Sequence, residues 1–487
     1  METSEHKKLL VVQLEKIQNH TIWSDFQKNK ALFELLALIL EEATKEERIN
    51  FTTLFSRLAY TGARFQLNVQ TLHYCHLFRK AHEQGNIRSE NETNYTHLGI
   101  YICSRLLHEI FKIHLPESNL KLDESLKTIF QKDKRKTIGF KRVVEAVLFE
   151  IDDKNKTLHF YDDEDPSIEK IALYDIHDKN EQFNQNIESL RKTFVLPVHI
   201  NFIDVDIRED GMYIPLGFII QPDHLVDVTA VSECFKEYGA EPFLYLISKF
   251  KPSEASAPLM TGNLVNLMLD NLISHPDSAF KTMLSGMFRS NPLGFAILDD
   301  QSLMHLIAKL TEHYNNLKFT VNHEFKNFNI NRDNIFLEPS FYSRDYGIQG
   351  RLDLLHQKND TSIYDIIELK SGKTFKPNVY GINASHYIQT LLYDLMIKSA
   401  FEPKTKSFNY ILYSKESDKP LRFAPPVRAQ QFEAMKLRND ILAIEQKLQK
   451  LDEDNSLLSY IKPENFPRLK GFNIKDVENF INIYSSL

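Results

Sequence analysis

The stretch at 347–373, which reads GIQGRLDLLHQKNDTSIYDIIELKSGK, contains two apolar runs that carry ionisable residues whose types could do chemistry. Asp353 lies in the first apolar run, and Glu368 and Lys370 lie two apart in the second. An unpaired charge taken out of water carries a large free-energy cost unless it binds a metal or an oppositely charged partner. These three side chains are therefore the first candidates for chemistry.

The two runs predict a β-hairpin, because both are rich in β-forming residues and the polar turn HQKNDT separates them. Side chains alternate along a strand, so Glu368 and Lys370 project from one face. If Asp353 pairs opposite them, two carboxylates and an ammonium meet. Carboxylates bind Mg²⁺, which activates water against a phosphodiester. We predict Asp353 and Glu368 as metal ligands and Lys370 as the group that orients the water or offsets charge at phosphorus.

A helix is predicted downstream in HYIQTLLYDLMI, where Gln389 and Tyr393 are four apart and share one face. Both side chains are able to hydrogen-bond a nucleic-acid phosphate or the candidate lysine. A Gln and a Tyr at this spacing are common on helices, so this pair alone indicates little.

Three short motifs follow one another in the order GxxD, (D/E)xK and QxxxY. Here they are Gly350-Arg-Leu-Asp353, Glu368-Leu-Lys370 and Gln389-Thr-Leu-Leu-Tyr393. This ordered set resembles the RecB-type branch of the PD-(D/E)xK nucleases, and looks closest to the nuclease half of the eukaryotic replication nuclease-helicase. The resemblance covers roughly 143–425. It implies Mg²⁺ or Mn²⁺ as cofactor, DNA as substrate, and a strand in TVNHEFKNFNI that carries a further site residue, Glu324.

The chain departs from that family at two places. The first nuclease helix of the family carries a metal-binding His in a GxxxH setting, and Gly262 and Asn266 stand there instead. A carboxamide is a weaker ligand than imidazole, so Asn266, like Glu324, is a candidate rather than an assured ligand. Several relatives hold an iron-sulfur cluster, but no cysteine follows Cys234 here. We expect no iron-sulfur cluster, and closing helices held by apolar packing.

The expected fold class is α+β and multidomain. Apolar residues recur three and four apart over 1–125, which predicts a helical N-terminal domain. The period changes to two over 143–226, which indicates a small antiparallel barrel or sandwich, and the resemblance implies an OB-like β-barrel there. The resemblance places the PD-(D/E)xK α/β nuclease core, with a mixed central sheet, at 227–425. A C-terminal helical segment is predicted at 426–487.

Local basic and aromatic residues are the candidate nucleic-acid contacts, since a net charge of -7 gives no global signal. The basic run FQKDKRKTIGFKR at 130–142 is either a solvated linker or a phosphate contact. Phe160, Tyr161 and Tyr213 either stack on bases or pack within the protein.

No targeting or membrane-spanning pattern is evident in the sequence. The N-terminal residues return to charge too soon for a signal peptide, and no long apolar run occurs. We therefore expect an intracellular, cytoplasmic protein, with nucleoid association as one option and no membrane partner. SGKT at 371–374 lacks the earlier Gly of a P-loop, so the given sequence does not contain the helicase half of the family it resembles. The resemblance therefore implies a superfamily-one helicase in trans or in a missing C-terminal half.

The sequence thus predicts a metal-dependent DNA nuclease acting on single-stranded or flap DNA during replication, recombination or repair. Exonuclease and endonuclease action stay open, and RNA remains an alternative substrate. The alternative function is a non-catalytic DNA-binding or scaffold module with a decayed site, which the Asn266 departure motivates.

Overall fold

The computed structural model describes residues 5–46, 54–85, 87–130, 137–162, 167–237, 239–250, 257–359, 361–372, 374, 381–401 and 404–449. The chain divides into two compact units, residues 1–134 with 377–381, and residues 135–376 with 382–487. The middle of the predicted basic run, 131–136, lies outside the described residues, as does 450–487 of the predicted C-terminal segment. Among the described helices, none combines the length and apolar character needed to cross a lipid bilayer.

The first unit is helical, as the apolar spacing predicts. Its helices are α1 (Glu5–Gln18), α2 (Asp25–Thr44), α3 (Leu54–Arg64), α4 (Val69–Glu83), α5 (Glu92–Phe111), α6 (Glu117–Leu120) and α7 (Glu124–Phe130). Ser24 and Gln27 form a capping box that starts α2. Helices α2 and α5 pack closely because Gly99 leaves room: a Cβ there would lie 2.9 Å from Leu32 and from Phe78.

The second unit contains both β-rich regions. Its strands are β1 (Thr137–Asp152), β2 (Thr157–Asp162), β3 (Lys170–Leu173), β4 (Val198–Arg208), β5 (Tyr213–Ile220), β6 (Val226–Asp227), β7 (Phe235–Lys236), β8 (Gly239–Ala240), β9 (Ile335–Leu337), β10 (Ser340–Ser343), β11 (Ile348–Arg351), β12 (Leu354–Gln357), β13 (Ile363–Lys370), β14 (Lys406–Tyr413) and β15 (Leu421–Phe423). Its helices are α8 (Asn184–Thr193), α9 (Val228–Glu233), α10 (Phe243–Phe250), α11 (Ala257–Ser274), α12 (Phe280–Ser290), α13 (Pro292–Ala296), α14 (Asp300–Phe319), α15 (Phe325–Asn327), α16 (Ala384–Ala400) and α17 (Arg428–Leu448).

Strands β1 to β5 close into a barrel in the order β1-β2-β3-β5-β4, and α8 lies between β3 and β4 in the chain. Phe160 and Tyr213 face its interior, where they are buried and meet edge to face at 5.3 Å. Of the two alternatives, base stacking or packing within the protein, these two rings therefore take the second. Tyr161 points outward, 36% exposed, and stacks on Phe149 at 4.8 Å. Tyr161 is thus the one of the three candidate aromatics whose ring is available to solvent.

A mixed five-stranded sheet carries the candidate site, in the order β15-β14-β13-β12-β9. Strands β13 and β14 run parallel and are joined through α16, whereas β12 pairs antiparallel with β13 and with β9. Beside it, β10, β11 and β6 form a three-stranded sheet. The chain passes directly from β11 in one sheet to β12 in the other, and Asp353 lies at this junction.

One predicted strand is wrong. The segment TVNHEFKN, which includes Glu324, continues α14 as a π-helical turn and then α15. The physical reason is the spacing of its buried residues: Leu317, Val321 and Phe325 are four apart and bury one helical face.

Helix α17 is held by more than the apolar packing expected for it. Leu437, Ile441 and Ile444 are indeed buried. Polar contacts also anchor the helix: Arg428 pairs with Asp204 on β4, Gln431 donates to Asp394 on α16, Asn186 on α8 donates to Asp440, and Asn439 bonds the backbone of Phe218 and Ile220 on β5. These anchors join α17 to the barrel and to α16 within the second unit.

Candidate active site

The predicted hairpin is present and brings the first carboxylate to the second strand. Leu354 on β12 pairs with Ile367 on β13, so Asp353 comes level with the end of β13. Its Oδ2 accepts the backbone N–H of Leu369 at 2.7 Å. Leu369 stands between Glu368 and Lys370 in the chain, so the structure brings all three predicted residues to one place.

Glu368, Lys370 and Gln389 form a closed triangle of hydrogen bonds. The Lys370 ammonium donates to Glu368 Oε1 and to Gln389 Oε1, each at 2.9 Å. The amide of Gln389 donates to the same Glu368 oxygen at 2.7 Å. Each side chain therefore fixes the other two, and Lys370 is held beside the carboxylates by two acceptors.

Tyr393 extends this network to the strand that precedes Asp353. Helix α16 starts at Asn383, whose side chain caps it, and Gln389 and Tyr393 lie one turn apart. Gln389 donates to the Tyr393 hydroxyl at 3.1 Å, and that hydroxyl donates to the Arg351 carbonyl at 2.8 Å. The predicted supporting pair thus contacts the lysine, the glutamate and the β11 backbone.

The first Gly of the GxxD motif has a steric role. A Cβ at Gly350 would lie 3.0 Å from a ring carbon of Tyr393 and 3.3 Å from Val228. A larger residue would push β11 away from α16.

Burial makes the two carboxylates costly in the absence of a cation. Glu368 is 4% exposed, and burial together with the charge of Asp353 raises its pKa to about 7. Burial also raises the pKa of Asp353, against the Leu369 N–H and the Lys370 charge, which lower it. Glu368 Oε2 is buried and accepts no hydrogen bond from the described residues. An orphaned oxygen beside a second carboxylate fits a divalent cation, which prefers oxygen ligands.

Helix α11 lies over this site. A Cβ at Gly262 would be 3.6 Å from the Ser371 hydroxyl oxygen, just past β13. One turn later, the Asn266 amide donates to Asp353 Oδ1 at 3.5 Å. Asn266 therefore contacts a candidate metal ligand, and the contact is made by its amide N–H.

Glu324 is not brought into the network. Its carboxylate lies 3.5 Å from the Asn327 amide, on the helical segment after α14. No hydrogen bond among the described residues joins it to Asp353 or Glu368. The segment that carries Glu324 is helical rather than a strand, and its part in the site stays a prediction.

Sequence reasoning missed two carboxylates near Asp353. Glu338 follows β9; its N–H donates to the Asp353 carbonyl at 2.9 Å, and its carboxylate lies 3.1 Å from Arg351. Asp270 is one turn after Asn266 on α11; burial and the charges of Glu338 and Asp353 raise its pKa to about 6. The i, i+4 spacing from Asn266 would have revealed Asp270. Glu338 lies in the turn after β9 with a φ of 46°, so no helical or strand periodicity in the sequence could have placed its side chain near Asp353.

Comparisons with known proteins give little beyond this geometry. No family model matches the chain, and no curated protein sequence matches it. Among solved structures, the chain is similar to the crystal structure of a "Putative exonuclease" from Eubacterium rectale, with 14% identity and a TM-score of 0.32. The match covers 47% of this chain and 84% of that one. The functional inference therefore rests on the site itself.

Proposed function

We propose that this chain is a metal-dependent nuclease that hydrolyses phosphodiester bonds in DNA. The observation that carries the proposal is the buried, unbonded Oε2 of Glu368, next to a second, partly buried carboxylate and a fixed ammonium. Asp353 and Glu368 would hold Mg²⁺ or Mn²⁺, since carboxylate oxygens suit these cations. The motif order and the mixed sheet support assignment to the RecB-type PD-(D/E)xK nucleases.

Each protein group has a definable part in the hydrolysis. A divalent cation held by Asp353 and Glu368 would supply Lewis-acid polarisation of the phosphodiester and would make water more acidic. Lys370 offsets the negative charge that develops at phosphorus or orients the attacking water. Gln389 holds the ammonium and the Glu368 carboxylate in a fixed relation. Tyr393 fixes Gln389 and the backbone before Asp353.

The substrate we propose is single-stranded or flap DNA. We assign the five-stranded barrel as OB-like, and barrels of that class bind single strands by stacking bases on exposed aromatic rings. Tyr161, backed by Phe149, offers such a ring. We also propose replication, recombination or repair as the setting, inside the cell, with a superfamily-one helicase as the partner.

A cutting assay tests the proposal. Labelled single-stranded, flap and duplex DNA and a single-stranded RNA are incubated with the full chain in Mg²⁺, in Mn²⁺ and in excess chelator. We expect cutting of DNA that needs added metal. Asp353→Asn and Lys370→Met should stop cutting and keep DNA binding, because one charge near a phosphate is a small part of a contact to many phosphates. Asp210→Asn, an exposed carboxylate in the β4–β5 turn, is the matched control and should cut normally.

The second candidate function is a DNA-binding or scaffold module without catalysis. The observation that favours it is Asn266, whose amide N–H, rather than a stronger imidazole ligand, faces Asp353. A wild-type chain that binds DNA and cuts no nucleic acid in either metal would establish this function over the nuclease.

A further inference from the structure

Arg438 on α17 is fully buried, and its guanidinium donates to backbone carbonyls from separate segments of the second unit. Nε donates to the Gly347 carbonyl at 3.1 Å, and Nη2 to that of Gln221 at 2.9 Å. Further bonds reach the carbonyls of Ile220 and His224. One side chain thereby ties the end of β5, the loop before β6 and the turn before β11 to α17.

The environment of Arg438 marks it as fixed rather than adaptable. Burial lowers its pKa to about 9, and carbonyl oxygens take the place of a carboxylate in bonding the guanidinium. A buried guanidinium is tolerated only where its N–H groups find acceptors, so a shift of any of these segments would leave a charged donor unsatisfied. The planar group therefore specifies the relative positions of the segments it bonds.

Gly347 is the contact that leads towards the site. Its φ is +60°, and a Cβ on it would lie 2.5 Å from Arg438 Nη2, so glycine is required for both reasons. Its carbonyl also accepts the Val226 N–H at 3.0 Å. Strand β11 begins at the next residue, Ile348, which pairs with Val226 on β6.

Strand β11 contacts side chains that are hydrogen-bonded to the candidate catalytic groups. Gly350 packs closely against the Tyr393 ring, and the Arg351 carbonyl accepts a hydrogen bond from the Tyr393 hydroxyl. Tyr393 in turn accepts from Gln389, which donates to Glu368. A continuous chain of contacts thus runs from α17 through β11 and α16 to the carboxylate.

We propose that Arg438 is a positioning residue for the hydrolytic site: by fixing the start of β11, it sets Tyr393 and Gln389 and so the orientation of Glu368 and Lys370. This inference rests on the proposed nuclease function. It assigns to α17, which lies outside the three motifs, a part in the geometry of the reaction. Small displacements of reacting groups are costly in rate even when their cause lies far from the chemistry.

The same helix offers a matched control. Arg428 pairs with Asp204 on β4 and contacts Phe432 and Gln431 on its own helix, so it anchors α17 to the barrel, and no hydrogen bond among the described residues joins it to β11. Arg438→Met and Arg428→Met therefore each remove one arginine anchor of one helix. Arg438→Met removes the bonds to the start of β11, whereas Arg428→Met removes the ion pair with the barrel.

The test measures kcat, KM, DNA affinity and the unfolding midpoint of the full chain with each variant. We expect Arg438→Met to lower kcat roughly tenfold to a hundredfold with DNA affinity unchanged. Arg428→Met should keep kcat even where its unfolding midpoint falls. Gly347→Ala disturbs the same Arg438–Gly347 contact through the other residue, so it should give the same loss of kcat. It replaces Arg438→Met in the test if Arg438→Met does not fold.

A double-mutant cycle separates positioning from general destabilisation. If Arg438 acts through Tyr393, then Arg438→Met combined with Tyr393→Phe should lose little more kcat than the worse single variant. Losses that multiply, or an Arg438→Met rate equal to that of Arg428→Met, would overturn the proposal. A wild type that cuts nothing would instead remove the nuclease function on which the proposal rests.

Discussion

Two buried carboxylates on one strand have opposite surroundings. Asp365 and Glu368 both lie on β13, 0% and 4% exposed, and their spacing of three puts them on opposite faces of the sheet. Asp365 Oδ2 lies 2.8 Å from His356 Nδ1, and its Oδ1 lies 3.1 Å from the Lys358 ammonium. Glu368 collects two donors on Oε1 and none on Oε2.

The two carboxylates differ in which charged groups lie beside them. Around Asp365, His356 Nε2 accepts the Asn331 N–H at 3.1 Å, and the Lys358 ammonium also lies over the ring of Phe408. Asp365 Oδ1 also accepts no hydrogen bond from the described residues, but it faces the Lys358 ammonium at 3.1 Å. Each charged group there has its counterpart within the protein. The Glu368 face has a second carboxylate and an unbonded oxygen, so its charge balance requires something from outside.

The largest expected effect tests that difference in the rate of cutting. Glu368→Gln should lower kcat at least about a thousandfold, because it removes a ligand needed for the chemical step. Asp365→Asn, on the same strand and equally buried, should keep kcat within a fewfold of wild type. Both are measured on single-stranded DNA at saturating Mg²⁺, at a temperature where both variants are folded. Equal losses in the two variants would contradict the distinction between the faces.

The second prediction reverses the order of the two variants, with stability as the measurement. Asp365→Asn leaves the buried His356 and the partly buried Lys358 without their carboxylate, and it should cost about 3 kcal/mol of unfolding free energy. Glu368→Gln should cost no stability above pH 7, because it removes a buried charge and its amide oxygen still accepts from Lys370. Denaturant unfolding of the metal-free proteins checks this. A Glu368→Gln variant as unstable as Asp365→Asn would show that both clusters are structural.

The third prediction concerns pH. The folded state raises the pKa of Glu368 to about 7, so ionising it opposes folding. Its contribution to stability is present at low pH and is lost as pH rises from the ordinary Glu range through about 7. The unfolding free energy of metal-free Glu368→Gln should therefore be higher than that of wild type by on the order of 2 kcal/mol above pH 7. This difference should disappear near pH 5. Added Mg²⁺ should stabilise wild type and leave Glu368→Gln unchanged.

Local pattern was enough to predict which side chains of the candidate site lie together. Alternation along one strand put Glu368 and Lys370 on one face, and a polar turn between two β-forming runs predicted the hairpin that adds Asp353. Helical spacing paired Gln389 with Tyr393. Each of these inferences uses contacts within a strand, a hairpin or a helical turn, where sequence spacing fixes geometry.

Contacts between distant segments were not predictable in the same way. Glu338 reaches Asp353 through a turn, and Arg438 meets Gly347 across 91 positions of sequence. The strand around Glu324 was predicted from the family resemblance alone, whereas the buried residues of that segment are four apart and form a helical face. Tertiary packing decides such cases, and a single sequence carries no direct record of it.

The smallest expected effect concerns Asp270, the carboxylate that sequence reasoning passed over. It lies one turn beyond Asn266, and the charges of Glu338 and Asp353 act on it. An extra negative charge near the cation attracts it without bonding the substrate, so Asp270→Asn should raise the Mg²⁺ concentration for half-maximal cutting roughly tenfold, with kcat at saturating Mg²⁺ unchanged. Asp277→Asn, an exposed carboxylate shortly after the same helix, is the control. The pKa of Asp270 is raised to about 6, so protonation below that pH should erase the difference between wild type and Asp270→Asn. Mg²⁺ titration curves that coincide at pH 8 would show that Asp270 takes no part in metal binding and that Asp353 and Glu368 hold the cation without it.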